Sequence, residues 1–198
     1  MPPKAKITKE MILDTALDIT RQSGFEAMNA RSIAARLHCS TRPLFTCYSG
    51  MEELKQEFLM FAYDFYERFV ADYEKSMQIN PCLILPLSYL EFAKAEPFLF
   101  KLLFVSDMDL DLTQANDFYR EIGNQQKAER FSHQMGLSSQ KGKEVFLDLF
   151  LYTHGLAVLT ATGKASFDLA AQEQRLEAFL TALTHYEEAS HAQQSVSD

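Results

Sequence analysis

Residues 30–48 read ARSIAARLHCSTRPLFTCY and contain two short helical patterns joined by a turn. The first predicted helix covers 30–37, where apolar residues recur on one face and Asn29 is a suitable N-cap. The second covers 41–48, with Ser40 as its N-cap. Two helices joined by a turn of about three residues have the dimensions of a helix-turn-helix module, which many proteins use without touching DNA. The spacing alone therefore leaves DNA binding open.

The rest of the chain is also predicted to be helical. Apolar residues recur at helical spacing over 8–23, with Thr8 as the N-cap and Gly24 as the stop signal. No alternating run is long enough to indicate a strand, so the predicted fold class is all-α. Further helices are predicted at 51–76, 81–95, 97–105, 113–135, 138–165 and 168–189.

Composition favours a globular helical chain. The 198 residues are 47% apolar and 23% charged, with 7 glycines and 6 prolines, which argues against disordered, collagen-like and loop-rich all-β classes. The net charge of -8 is unevenly spread, because residues 1–55 carry 8 basic and 6 acidic side chains and residues 56–198 carry 11 and 21. Only charges within a Debye length of DNA, ~8 to 10 Å, affect binding strongly, so the basic N-terminal segment is compatible with nucleic acid.

Cysteine usage and hydropathy indicate the compartment. Cys39, Cys47 and Cys82 cannot all pair and lack C-x-x-C spacing, which is typical of free thiols in a reducing cytoplasm. The N-terminus shows no signal-peptide pattern, and the longest apolar segment, 145–162, falls short of ~20 uninterrupted apolar residues. We therefore expect a cytoplasmic chain with no membrane span.

A longer pattern surrounds the helix-turn-helix. It consists of ILDTAL at 12–17, GF at 24–25, RSIAARL at 31–37, CSTRPLF at 39–45, Tyr48, and EEL at 52–54. This pattern resembles the N-terminal domain of the TetR family of transcriptional regulators, and the resemblance covers residues 8–54. It implies a DNA-binding domain over 1–50 and a helical ligand-binding and dimerisation domain over 51–198.

The resemblance also implies which side chains face DNA. Arg31 begins the second helix, and Thr41, Arg42 and Thr46 lie on the third, at positions that face phosphate or base edges in the family. Arginine makes bidentate bonds to guanine or phosphate, and threonine hydroxyls bond phosphate oxygens. Solvated surface charge is the alternative for both arginines. The full predicted DNA-binding set is Arg31, Ser40, Thr41, Arg42, Thr46, Tyr48 and Lys55.

Four positions depart from the family pattern. His38 replaces a usual glycine of the turn, although histidine tolerates positive φ. Phe45 replaces a usual tyrosine and so removes a hydroxyl. Cys47 stands where histidine is common, and Met51 where a lysine usually meets the DNA backbone. Lys55, one turn further on, is the candidate replacement for that missing cation.

The apolar side chains of the third helix need a separate interpretation. We expect Leu44, Phe45 and Tyr48 to form the core of the small module rather than a stacking platform for single-stranded bases. A duplex-reading helix packs its apolar side on its neighbours and leaves the opposite side for the groove.

The C-terminal part of the chain is rich in aromatic residues, most of which should be core. In the resembled family an inducer pocket lies inside this bundle, which implies a small hydrophobic or aromatic inducer oriented by a hydrogen bond from Tyr or His. The candidate pocket residues are Tyr89, Phe92, Phe104, Phe118, Tyr119, Phe150 and His154.

The resemblance implies a homodimer formed by the last two helices, with burial inside one chain as the alternative. A two-fold pair of DNA-binding heads requires an inverted-repeat operator in double-stranded DNA. The candidate interface residues are Leu156, Leu159, Leu176, Phe179, Leu180 and Leu183.

Patterns for catalysis, metals or cofactors are not found. Asp107, Asp109 and Asp111 start like a calcium loop, but Leu112 stands where glycine is required and Phe118 where the bidentate glutamate should be. We therefore expect no enzyme activity, no metal and no cofactor.

The sequence thus predicts a sequence-specific transcriptional regulator, a repressor released by a small hydrophobic ligand. The alternative is a helical hydrophobe-binding or protein-interaction module whose helix-turn-helix no longer reads DNA.

Overall fold

The computed structural model describes residues 7–106, 118 and 123–194, and within these ranges every regular element is helical. The all-α prediction is therefore confirmed for the part of the chain that the structure describes. A 3₁₀ turn, Phe25–Ala27, follows α1, and a π-helical turn, Leu102–Ser106, follows α6. The α-helices are α1 Lys9–Ser23, α2 Ala30–Arg36, α3 Leu44–Cys47, α4 Met51–Ser76, α5 Pro81–Ala95, α6 Pro97–Lys101, α7 Asn124–Met135, α8 Ser139–Ala161 and α9 Leu169–Gln194.

Local capping signals set the first helix boundaries. The Thr8 hydroxyl accepts a hydrogen bond from the backbone N–H of Met11 at 3.2 Å. Gly24 ends α1 at φ +85°, a conformation that favours glycine. The Asn29 side-chain oxygen accepts hydrogen bonds from the backbone N–H groups of Arg31 and Ser32, in the first turn of α2, at 3.0 and 3.1 Å. All three predicted caps are confirmed.

The predicted start of the third helix is wrong by a few residues. Pro43, not Ser40, occupies the N-cap position of α3, and no side-chain cap is formed. Proline has no N–H, so the first helical hydrogen bond on this segment is donated by Leu44, to the carbonyl of Thr41 at 3.1 Å. Tyr48 then adopts an extended conformation, which ends the helix at Cys47.

Later boundaries also differ from the predictions. α7 begins at Asn124 because Gly123 precedes it in the left-handed conformation at φ +92°. Most of the N-terminal part of the predicted helix 113–135 lies outside the described residues. α8 ends at Ala161 rather than at 165, since Gly163 at φ +68° breaks the helix. The predicted helix 97–105 divides into α6 and the π-helical turn, and α9 reaches Gln194 rather than 189.

The chain divides into two compact units. Unit 1 comprises Met1–Ala71 and Ala95–Met108, and unit 2 comprises Asp72–Lys94 and Asp109–Asp198. The core of unit 1 includes Ile12, Ile33, Leu44, Phe58, Leu99 and Phe100. The core of unit 2 includes Leu83, Leu87, Phe92, Phe118, Val145 and Leu176.

An ion pair joins α1 to the start of α6 inside unit 1. Arg21 Nε donates to Glu96 Oε2 at 2.8 Å, and Nη2 donates to Oε1 at 2.5 Å. Glu96 is 8% exposed, and the guanidinium carbon of Arg21 lies 5.3 Å from the ring centroid of Phe65. The bidentate geometry therefore satisfies both oxygens of a nearly buried carboxylate.

A glycine allows α7 and α8 to approach closely inside unit 2. A Cβ atom built on Gly142 would lie 1.8 Å from Ser132 Oγ and 2.8 Å from Ser132 Cα. The Ser132 hydroxyl donates to the carbonyl of Ala128 at 2.7 Å, so its position is fixed. Any side chain at position 142 must push the two helices apart.

Among the described residues, one helix, α8, is long and apolar enough to cross a membrane by length and composition alone. Core helices of water-soluble proteins pass the same test. The expected absence of a membrane span therefore stays a prediction.

Candidate nucleic-acid interface

The helix-turn-helix consists of α2, a turn and α3. His38 lies in the turn at φ +51°, and among the described non-glycine residues it alone has positive φ. Its N–H donates to the carbonyl of Ala35 at 3.2 Å, and the N–H of Cys39 donates to that of Ala34 at 3.0 Å. The expectation that His38 adopts the conformation usually given to glycine is confirmed.

The segment around α3 has two different faces. Leu44 and Tyr48, one helical turn apart, are 1% and 2% exposed. Phe45 is 49% exposed, and Arg42 and Thr46 are exposed as well. The prediction that Phe45 is a core residue is therefore wrong, because a single face of this short helix packs against the rest of unit 1.

Most of the predicted DNA-binding side chains are accessible. Arg31, Ser40, Arg42 and Thr46 are exposed, and Thr41 is half-buried. The Thr46 N–H donates to the carbonyl of Arg42 at 3.1 Å, which places Arg42 in helical register with α3 although it precedes that helix. Polar groups on the outward face of α3 are thus available to a large ligand.

Tyr48 is not part of this face, which corrects its assignment to the DNA-binding set. Burial raises the pKa of its hydroxyl, and Lys9 Nζ lies 4.5 Å from its ring centroid. The aromatic ring acts as core packing beneath α3. Its side chain is therefore out of reach of a groove-bound duplex in this conformation.

Lys55 is half-buried and paired. Its Nζ lies 3.2 Å from Glu52 Oε1, an ion pair within the first turns of α4. The neighbouring carboxylate offsets the charge that Lys55 would present to a phosphate. Lys55 is therefore a weaker replacement for the missing cation than its sequence position suggested.

The segment that contains the helix-turn-helix carries a net positive charge. Residues 27–51 contain three arginines, at positions 31, 36 and 42, and no aspartate or glutamate. This local excess of positive charge contrasts with the net charge of -8 for the chain. It is the distribution that attracts a phosphate backbone, since distant charges are screened by salt.

The three cysteines are free, as predicted. Cys39, in the turn, and Cys47, the last residue of α3, are half-buried. Cys82 on α5 is buried, and burial raises the pKa of its thiol.

Four of the predicted pocket residues meet in unit 2. Tyr89 Oη and His154 Nδ1 are 2.9 Å apart and hydrogen-bonded. The ring of Phe150 lies 5.6 Å from that of His154 and 4.6 Å from that of Phe118, measured between centroids. The cluster therefore combines one hydrogen-bonded polar pair with aromatic surroundings.

Three predicted pocket residues lie outside this group of four. Phe92 is fully buried in α5. Phe104 belongs to unit 1, where its ring centroid lies 4.8 Å from that of Tyr66 and 5.4 Å from that of Phe100, and its place in the pocket stays a prediction. Tyr119 lies outside the described residues.

Burial of His154 makes the stability of the chain depend on pH. Desolvation lowers the pKa of His154 below its ordinary value, so the unfolded chain takes up this proton at a higher pH than the folded chain does. In the unfolded chain the pKa of histidine is about 6.5. The His154 contribution to stability should be complete above that pH, and it should be lost as the pH falls through the lower pKa that His154 has in the folded chain. We expect His154→Gln to flatten the loss of thermal midpoint as the pH falls below about 6.5.

The matched control for this measurement is His133→Gln, which changes an exposed histidine on α7. The control should keep the pH dependence of the wild type in the same calorimetric scans. An unchanged pH dependence in His154→Gln would contradict this role of His154.

The residues predicted to form the dimer interface differ in how deeply they are buried in the single chain. Leu156, Leu176 and Leu180 are buried within a single chain, so their assignment to an intermolecular face is wrong. Phe179 and Leu183 are half-buried. Leu159 is exposed. Leu151, two helical turns earlier on α8, is exposed as well, although it was not among the predicted interface residues.

Among the described residues, no group of three His, Cys, Asp or Glu side chains is placed to hold a metal ion. The aspartates at 107, 109 and 111 that resemble a calcium loop lie outside the described residues.

Neither a model of a known protein family nor a curated protein matches this chain.

Proposed function

We propose that the chain is a homodimeric transcriptional regulator of the TetR type, a repressor that binds an inverted repeat in double-stranded DNA and is released by a small hydrophobic ligand. The observation that carries this proposal is the division of residues 42–48, the segment around α3, into two faces. Leu44 and Tyr48 pack against unit 1, while Arg42, Phe45 and Thr46 are left exposed. A recognition helix needs the same division to enter a major groove.

Charge supports the same proposal. Arg31 and Arg42 are exposed in a segment, 27–51, that has no acidic residue. Arginine contacts to phosphate give affinity, and bidentate contacts to guanine give base preference. The two arginines therefore suit either part of DNA recognition.

Release by a ligand is supported by the aromatic cluster around Tyr89 and His154 in unit 2. Helix α4 begins in unit 1, and its last residues, 72–76, belong to unit 2. A shift of that end of α4 on ligand binding would be transmitted along the helix to the segment that follows α3. Such a shift would change the spacing of two heads in a dimer.

Dimer formation is supported by the exposed apolar stripe on α8. Leu151 and Leu159 are eight residues apart and share one face of the helix, and both are exposed in the single chain. A second copy of the chain would remove this stripe from water.

Selection of bound duplexes from a random DNA pool by the purified protein tests the proposal. We expect enrichment of an inverted repeat, because two identical heads related by a two-fold axis read two half-sites. Failure to enrich any duplex at low salt, with protein shown to be folded by circular dichroism, would instead favour a hydrophobe-binding or protein-interaction module.

Arg42→Ala should weaken binding to the selected operator by about 1–3 kcal/mol per half-site and relax the base preference at one position. Lys55→Ala should lower affinity slightly and evenly on all sequences, because a phosphate contact carries no base information. Arg68→Ala changes an exposed arginine of α4 outside the helix-turn-helix and is the control. Binding measured by fluorescence anisotropy on operator and random duplexes separates these effects. Equal loss on both duplexes for Arg42→Ala would show that Arg42 does not read bases.

A further inference from the structure

Phe45 is the large apolar side chain on the outward face of the α3 segment. Residues 41, 42, 45 and 46 follow the i, i+3, i+4 spacing of a helix, so Phe45 lies beside Arg42 and Thr46 on that face. Its side chain is 49% exposed, although Leu44 and Tyr48 in the same segment are almost completely buried. The ring therefore belongs to the surface that the proposed function assigns to DNA.

The chemistry of the ring restricts what it can contact. Phenylalanine has no hydroxyl, so it cannot donate to a phosphate or to a base acceptor as tyrosine would. Burying it against polar base edges would leave their donors and acceptors without partners. In the major groove, the apolar group that a base pair offers is the C5 methyl of thymine.

The number of exposed rings also distinguishes a duplex from a single strand. Non-specific binding of single strands uses several exposed aromatic side chains in a basic channel. Residues 30–48 contain two aromatic side chains, Phe45 and Tyr48, and Tyr48 is buried. One exposed ring between polar neighbours suits a single contact in a groove.

We propose that Phe45 contacts the C5 methyl of a thymine at one position of each operator half-site and thereby determines specificity at that position. This inference rests on the proposed function and deepens it by naming the base that α3 selects. It predicts that an operator half-site carries a thymine whose methyl group, rather than its hydrogen-bonding edge, is recognised.

The test replaces each thymine of the selected operator, one at a time, by deoxyuridine. This substitution removes the methyl group and leaves base pairing and the O4 acceptor unchanged. By fluorescence anisotropy, the wild-type protein should lose affinity roughly fourfold at one position per half-site, the amount expected for one buried methyl group. Phe45→Ala should bind the parent operator more weakly and should no longer distinguish thymine from uracil at that position.

Two variants serve as controls. Phe45→Leu keeps an apolar side chain and should retain part of the preference for thymine. Met60→Ala removes an exposed apolar side chain from α4, outside the helix-turn-helix, and should keep the full wild-type preference. Circular dichroism should show all variants folded, because each changes an exposed side chain.

The outcomes separate the inference from the proposed function. If Phe45→Ala keeps the wild-type preference for thymine over uracil, or if no position responds to loss of the methyl group, the inference is wrong and the DNA-binding function stands. If no duplex is enriched in the selection, or if single strands bind more tightly than duplexes, both are wrong.

Discussion

Gly142→Ala is expected to lower the free energy of unfolding by about 3 kcal/mol or more. The new Cβ atom would lie 1.8 Å from Ser132 Oγ and 2.4 Å from Ser132 Cβ, far inside van der Waals contact. Rotation of the Ser132 hydroxyl relieves the first clash only, because Ser132 Cα would remain 2.8 Å away. Helices α7 and α8 must therefore separate, which opens the core of unit 2 around Phe131 and Phe146.

Gly155→Ala, in the same helix, is the matched control for this experiment. Both variants are compared at a protein concentration at which the chain is monomeric, because position 155 lies between Leu151 and Leu159 on the stripe proposed to pair two chains. A Cβ atom at position 155 meets nothing within 4 Å, so the substitution adds helix propensity without a clash. We expect unchanged stability or a gain of up to about 1 kcal/mol. Urea unfolding followed by circular dichroism measures both variants. Equal stability of the two variants would show that α7 and α8 do not approach as closely as described.

Arg21→Ala should lower the free energy of unfolding by about 2–3 kcal/mol. The substitution leaves the carboxylate of Glu96, which is 8% exposed, without the guanidinium that satisfies both of its oxygens. Loss of one partner of a fully buried pair costs about 3–5 kcal/mol, and the loss is smaller here because the Arg21 side chain is 40% exposed. The stacking of Arg21 on Phe65 is lost as well.

Two comparisons make this prediction specific to a buried pair. Lys75→Ala breaks the ion pair with Asp72, whose side chains are both about three-quarters exposed, and should change stability by less than about 0.5 kcal/mol. Glu96→Leu added to Arg21→Ala should recover part of the loss, since it removes the unpaired charge. An effect of Arg21→Ala as small as that of Lys75→Ala would contradict the buried character of the pair.

Local signals predicted the N-terminal helices well. Thr8, Gly24 and Asn29 act within a few residues of their positions, so the sequence contains the whole interaction. The all-α class followed in the same way from helical periodicity. The start of the third helix was the exception, because Ser40 is a suitable N-cap by residue type but Pro43 occupies that position.

Tertiary packing was harder to predict from sequence. Phe45 and Tyr48 are both aromatic, and composition could not show that one packs and the other is exposed. The pairing of Leu44 with Tyr48 at i, i+4 would have separated them. The long helix α8 is apolar on nearly every side, so its periodicity carries no information about which leucines face the rest of the chain. Leu156 was assigned to the wrong surface for this reason, and Leu151 was missed.

The three cysteines differ in accessibility, so thiol modification can report on different parts of this chain. Cys39 precedes α3, Cys47 is its last residue, and both are partly accessible, whereas Cys82 is buried and its raised pKa keeps it protonated. An alkylating reagent therefore marks the helix-turn-helix of the folded chain first. If the proposed DNA-binding function is correct, bound DNA should slow alkylation of Cys39 and Cys47. Unfolding should expose Cys82. One mass spectrum of the alkylated protein therefore reports two quantities. Alkylation of Cys39 and Cys47 reports whether the helix-turn-helix is covered, and alkylation of Cys82 reports whether the chain is unfolded.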